Sequence, residues 1–263
     1  MPLLGFAKED LRMVYNFFKM NLKDRYIGSI LGVYWAFINP LLMLSIYTFV
    51  FAFIFKARVP VSEESLPYAV WLISGLAPWL GISEGMNTGC NGVVMHSEIV
   101  KNTVFKTEVL PIASSLMGIV PLFVSSVFLF VLIFFSGGRY TIHILWLMPV
   151  VLLQVAFTLG VSFFTSAVTV FIRDVSQLIN SLLLLCLFFT PIFYSRQMMP
   201  SIVQKITFFN PFYQIIDGYR SCVIYNRIPN IAGLLYLFAL DIILFYAGIN
   251  FFRKLKGYFG PCL

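Results

Sequence analysis

Between residues 31 and 55 no side chain carries a charge, and the run LGVYWAFINPLLMLSIYTFVFAFIF is apolar almost throughout. A helix rises about 1.5 Å per residue, so about 20 such residues cross the roughly 30 Å hydrocarbon core of a bilayer. Pro40 falls inside the run. It has no N–H to donate, so it kinks or loosens the helix, which a membrane helix tolerates when a neighbour takes up the freed carbonyl. Further apolar runs at 68–95, 112–135, 144–171, 178–194 and 231–252 bring the expected number of spans to six. Composition agrees: 60% of residues are hydrophobic and 11% charged, against about 25% charged in soluble domains, and mean hydropathy is +0.90. The expected fold is an all-α integral membrane protein with a single transmembrane domain over residues 1–263.

The segments between the runs are informative. Residues 1–30 place Leu4, Ala7, Leu11, Val14, Tyr15, Phe18 and Leu22 on one helical face and Lys8, Arg12, Asn16, Lys19 and Lys23 on the other. That is the pattern of an amphipathic helix lying in the membrane interface; a soluble helix packed on a partner has the same pattern. The charges are spread along it, with no uninterrupted apolar core of a signal peptide. In the second run Ala77, Gly81, Gly85 and Gly89 recur every four residues, which lines small residues on one face and lets another backbone approach. Glu84 in this run and Asp241 in the last are costly in hydrocarbon and should face protein or water. Residues 96–111 are polar and have the spacing of a short surface helix or of a plain solvated loop. Residues 195–230 hold two apolar pieces too short to span and too apolar for free solution, so re-entrant or interfacial helices, bent at Asn210-Pro211, are expected. Asp217 and Arg220 are spaced to pair locally on the second piece.

Six spans put both termini on one side. Eleven of the eighteen Lys and Arg residues then share that side with the termini, so the termini are expected in the cytoplasm. The four cysteines show no CxxC pairing; Cys90 and Cys186 lie in apolar runs and read as small core residues. The net charge of +7 is a topology signal, and no basic domain outside the membrane suits nucleic acid.

Three patterns carry a family resemblance. Arg25-Tyr26, Gly28-Ser29, Leu31-Gly32, Trp35, Asn39-Pro40-Leu41 and Tyr47-Thr48-Phe49 resemble the entry to the first membrane helix of polysaccharide-exporting ABC transporter permeases, the type-2 family of O-antigen, capsule and teichoic-acid exporters. FIRDV at 171–175 resembles that family's short turn after the fourth helix. The series TPIFYS, MMP, NPF and IIDGYR between 190 and 220 resembles its external gate. The resemblance implies a channel-forming subunit that acts as a homodimer in the cytoplasmic (inner) membrane. Its implied partners are two copies of an ABC ATPase, membrane lipids and a lipid-linked polysaccharide, most often O-antigen; no cofactor is implied on this chain, with ATP and Mg on the ATPase. It also implies a role for Tyr26, Tyr34, Trp35, Phe189 and Tyr194 along the channel. Lys101, Asn102, Phe105, Lys106, Glu108, Arg173 and Asp174 would couple to the ATPase, and Pro200, Asn210, Pro211, Asp217, Tyr219 and Arg220 would belong to the external gate.

The residues themselves leave other classes open. No GxxxxGK[ST] or HExxH occurs, and His96 and His143 have no evident partner. A secondary transporter would need titrating acids in the membrane, for which Glu84 and Asp241 are the candidates, and often shows internal repeats. A membrane-embedded transferase on lipid-linked sugars would need an acidic or His motif at a membrane face. Most of the aromatic residues, 17% of the chain, have a plain account in core packing and interfacial belts.

Overall fold

The computed structural model describes residues 7–55 and 67–263. Leu4 and the polar loop expected at 56–66 lie outside the described residues. Every regular element among the described residues is helical. The first is α1, Lys8–Asp24. The Ala7 N–H donates to Asp10 Oδ2 at 2.6 Å, and Glu9 and Asp10 place acid at the positive end of the helix. Beyond it the chain turns through Gly28 at φ +83°, a left-handed conformation that glycine adopts without a Cβ clash.

Helix α2, Trp35–Thr48, continues as a π-helical stretch, Phe49–Ile54, and buries Pro40. Helix α3 is Tyr68–Asn91, and α4 is Ser97–Asn102. Helix α5, Val109–Ser115, runs through a tight turn, Leu116–Gly118, into α6, Ile119–Phe135. A 3₁₀ turn, Ile142–Trp146, leads into α7, Leu147–Phe171, and the extended Ile172 separates this from α8, Val175–Phe189. Helices α9, Ser201–Thr207, and α10, Pro211–Val223, precede α11, Ile231–Leu255, and the short α12, Phe259–Cys262.

Among the described residues, four continuous helical segments are long and apolar enough to cross a membrane: Gly32–Phe51, Val109–Phe135, Ile142–Phe171 and Ile231–Cys262. The other two expected spans coincide with α3 and α8, and each departs from a simple span for a physical reason. Helix α3 has the length, but Ser74, Glu84, Asn87, Thr88 and Asn91 dilute its apolar surface. Helix α8 has 15 residues, which at about 1.5 Å each reach only about 22 Å.

Helix α3 is the centre of the bundle. It packs on α5, α6, α7, α8 and α10, and Val70, Trp71, Leu72, Ile73, Leu76 and Ile82 are buried on it. Its small residues explain how. A Cβ on Gly81 would lie 2.8 Å from Leu122 Cβ, and one on Gly85 would lie 2.7 Å from the Ser115 carbonyl oxygen. The glycine spacing thus brings α3 against the α5–α6 junction, backbone to backbone. A second close crossing, between α7 and α11, was not foreseen. There a Cβ on Gly248 would lie 2.7 Å from the Gly160 carbonyl oxygen.

Helix α1 corrects the expected face. Asp10 and Val14 are buried, with Met13, Phe17 and Phe18 packed beside them against α5, whereas Leu11 and Tyr15 of the expected apolar face are exposed. The apolar surface is wide enough to be shared: one stripe covers α5 and the other remains open.

Candidate functional site

Helices α1, α4, α5, α12 and the far ends of α3, α7 and α11 converge at one end of the bundle, where most of the basic residues lie; we call it the basic end. Here three sets of charges join segments distant in sequence. The Lys106 ammonium donates to Asp10 Oδ2 at 2.5 Å, linking the α4–α5 loop to α1. That bond, with the Ala7 N–H, holds the Asp10 carboxyl below its ordinary value. Glu108 precedes α5 and accepts from Lys256 Nζ at 2.8 Å and Arg253 Nε at 3.2 Å, pinning the end of α11. Burial pushes the Glu108 carboxyl upward, but these two cations and backbone hydrogen bonding outweigh it and hold it low. Finally, Arg25, just past α1, makes a two-pronged ion pair with Glu84 of α3. Burial alone would weaken the Arg25 charge; the facing carboxylate reverses that and raises its affinity for the proton.

These contacts sort the residues expected to couple. Phe105 stacks on Phe17 of α1 with ring centres 5.8 Å apart. With Lys106 bound to Asp10 and Glu108 buried under Arg253 and Lys256, these three join parts of the chain to one another. Lys101, Asn102, Arg173 and Asp174 are exposed, as are Thr103 and Val104, which the sequence did not single out. His96, which had no evident partner in the sequence, bonds through Nδ1 to the Gly92 carbonyl at 2.8 Å and meets Phe17 edge-on.

The aromatic set is divided. Tyr34 and Trp35 begin α2 near the basic end, with Tyr34 exposed; Tyr26 lies beside the Arg25 guanidinium, 5.8 Å away. Phe189 is exposed at the opposite end of the bundle, and the Tyr194 hydroxyl donates to the Phe188 carbonyl at 2.6 Å. Tyr47 of α2 and Phe51 of its π-helical continuation approach that end, through Phe193. The structure therefore gathers the five residues into two groups rather than one.

At the opposite end, the expected Asp217–Arg220 pairing is replaced. The Arg220 guanidinium donates to the Pro191 and Ile192 carbonyls at 2.7 and 2.9 Å and sits 3.7 Å over the Trp71 ring. The break of α8 at Thr190-Pro191 leaves carbonyls that need donors, and a buried arginine supplies them. Asp217 instead accepts from the Tyr213 hydroxyl at 3.4 Å. Asn210 caps α10 by accepting from the Phe212 N–H at 3.0 Å, and its amide donates to Thr190. Pro211 opens α10, where a missing N–H costs nothing. Tyr219 is fully buried and donates to Gln154 Oε1 at 3.0 Å, while Gln154 Nε2 donates to the Pro78 carbonyl. Pro200 is exposed ahead of α9, which carries exposed Ile202 and Ile206.

None of the long-range pairs was legible beforehand. Their only sequence signal is a set of charges at the edges of apolar runs, with no indication of which partner each meets.

The sequence of this chain matches the ABC-2 type transporter family over residues 14–224. It is similar to two proteins of Klebsiella pneumoniae, each named O-antigen export system permease protein RfbA. The identities are 29% and 30%, in both cases over 99% of this chain and 97% of the relative. A protein of the same name from Myxococcus xanthus is 26% identical over 92% of both chains. The family match covers most of the chain, and on that ground the protein belongs to the ABC-2 type transporter membrane family.

Proposed function

We propose that this chain is the channel-forming permease subunit of an ATP-driven exporter that moves lipid-linked O-antigen polysaccharide outward across the cytoplasmic membrane. The observation that carries the reading is the likeness, over nearly the whole of both chains, to permeases named for O-antigen export. Two copies form the channel, each crossing the bilayer six times, with α3 and α8 as the spans whose apolarity or length is marginal. Both termini and the basic end face the cytoplasm, in keeping with the excess of Lys and Arg there. Helices α9 and α10 form the re-entrant external piece, with α10 as its anchored half.

Two copies of a separate ATPase, holding ATP and Mg²⁺, dock on the exposed Lys101–Asn102 edge of α4, on Val104 and on the Arg173-Asp174 turn. Phe105, Lys106 and Glu108 transmit that contact to α1 and α11 through the bonds described above. Tyr34 and Phe189 offer exposed aromatic faces, suited to stacking on the C–H faces of sugars, and the part-buried Trp35 adjoins Tyr34. Of the two acids that an ion-driven alternative would need, Glu84 is paired with Arg25. A deletion of the gene in its host tests the proposal. Surface polysaccharide should disappear while lipid-linked polymer accumulates on the cytoplasmic leaflet. Loss of polymer synthesis would point to a transferase instead, and unchanged surface polysaccharide would refute export.

A further inference from the structure

Two cavities meet at the Arg25–Glu84 ion pair, which together with Met117 lines both. The larger, about 790 Å³, lies toward the basic end and is walled by polar groups, among them Asn21, Asp24, Asn87, Asn91 and Glu98. The smaller, about 250 Å³, runs between α2, α3 and α6 and is walled mainly by apolar side chains, including Pro40, Met43, Leu80, Val120 and Pro121. A polar chamber and an apolar groove therefore share one guanidinium at their junction.

The details favour an amphiphile. The Arg25 and Glu84 side chains are 40% and 22% exposed, and ion pairs this open contribute little net stability, so the guanidinium can exchange its partner. A phosphate presents the same two-pronged acceptor geometry as the carboxylate it would replace. The polar chamber itself carries Asp24, Glu84 and Glu98 against Arg25. That balance disfavours an anion deep in the chamber and suits a neutral, hydroxyl-rich group whose O–H donors meet carboxylates. Asn87 lines the chamber, and its Oδ1 is buried with no hydrogen-bond partner among the described residues. By contrast, the nearby Thr88 hydroxyl and Asn21 amide are satisfied by Ser114.

We propose that the two cavities form one bipartite binding site for a lipid-phosphate-linked saccharide. The lipid chain lies along Pro40, Met43 and Val120, the phosphate rests on Arg25 in exchange for Glu84, and the first sugars occupy the acidic chamber beside Asn87. The assignment rests on the export reading and adds to it a docking place on each subunit.

The test uses the permease–ATPase complex in lipid nanodiscs. The probe is a polyprenyl-diphosphate-linked disaccharide with a photoactivatable diazirine in its chain. Labelling is expected on peptides containing Met43 and Val120, with competition from the unlabelled glycolipid and none from phosphatidylglycerol or free disaccharide. Arg25→Gln should reduce labelling about tenfold, the value of one charge-assisted hydrogen bond. Glu84→Gln should raise it, because the guanidinium is released. Loss in both variants, change in neither, or equal competition by phosphatidylglycerol overturns the site. Glycolipid-stimulated ATP hydrolysis without labelling at these peptides overturns the site and leaves the export reading standing. Absence of both overturns the two together.

Discussion

The two ends of the bundle are fastened by different chemistry. At the basic end, carboxylates meet cations: Asp10 with Lys106, Glu84 with Arg25, and Glu108 with Arg253 and Lys256; every cation in these pairs is about half exposed. At the opposite end, buried side chains hold backbone carbonyls: Arg220 on Pro191 and Ile192, and Gln154 on Pro78. Arg25–Glu84, open on both sides, exchanges partners at little cost, whereas the buried Asp10 and Glu108 carboxylates and the buried donors aimed at carbonyls are expensive to leave unpaired. The Arg25–Glu84 pair is thus the fastening that can be rearranged, and α10 at the other end is built to stay. Of the two helices of the expected external gate, α10 is therefore the anchored one, and α9 carries the exposed apolar residues Ile202 and Ile206.

The contrast can be broken most severely at Arg220. Arg220→Ala leaves two buried carbonyls without donors and uncovers Trp71, and is expected to cost about 3–5 kcal/mol. Thermal unfolding in detergent measures it; a shift no larger than that of a surface mutation would mean α10 is not anchored. Next is Gly85→Leu, which drives a side chain into the Ser115 carbonyl and Thr158. A cost of about 2–3 kcal/mol is expected from overpacking, and normal yield and stability would rule out the close crossing.

Glu108→Gln is expected to have a smaller effect, about 1–2 kcal/mol, by weakening the hold on α11. The same group sets a pH dependence. Its carboxyl is held below the ordinary glutamate value of 4.5, so its contribution is fully present above that value and is lost as the pH falls through the depressed one. The protection of amides at the end of α11, taken relative to the intrinsic exchange rate at each pH, should therefore fall in wild type below about pH 4.5 and be insensitive to that change in Glu108→Gln. Equal acid sensitivity in the two proteins would assign the effect to another group. The smallest change is expected for Asp10→Asn, which should loosen α1 mainly at low salt, since screening weakens the pair it removes. Proteolysis of α1 at two ionic strengths reads this out, and a difference unaffected by salt would contradict the ion-pair account.

Apolar run length and glycine spacing made the helical membrane fold and the packing of α3 legible, because both depend on local period. The α3 interface follows from Gly81, Gly85 and Gly89 alone. The second crossing was less visible, since Gly160 and Gly248 are single small residues in separate helices, with no repeat to mark them. Charges were harder still. Asp217 and Arg220 had the spacing to pair, yet burial and the broken end of α8 gave Arg220 better acceptors elsewhere. Lys106 and Glu108 looked like surface groups of a loop, and only the fold brings Asp10, Arg253 and Lys256 to them. The family motifs indicated a class of transporter, but motif residues such as Asn210, Tyr219 and Arg220 turn out to hold the scaffold together.

The most direct test of the account asks what drives transport. Inverted vesicles holding this chain and its ATPase, loaded from outside with lipid-linked polysaccharide, should sequester the polymer in their lumen only when ATP is supplied. Ionophores that dissipate ion gradients should leave the rate unchanged. Sequestration that proceeds without the ATPase and stops when the gradient collapses would contradict it.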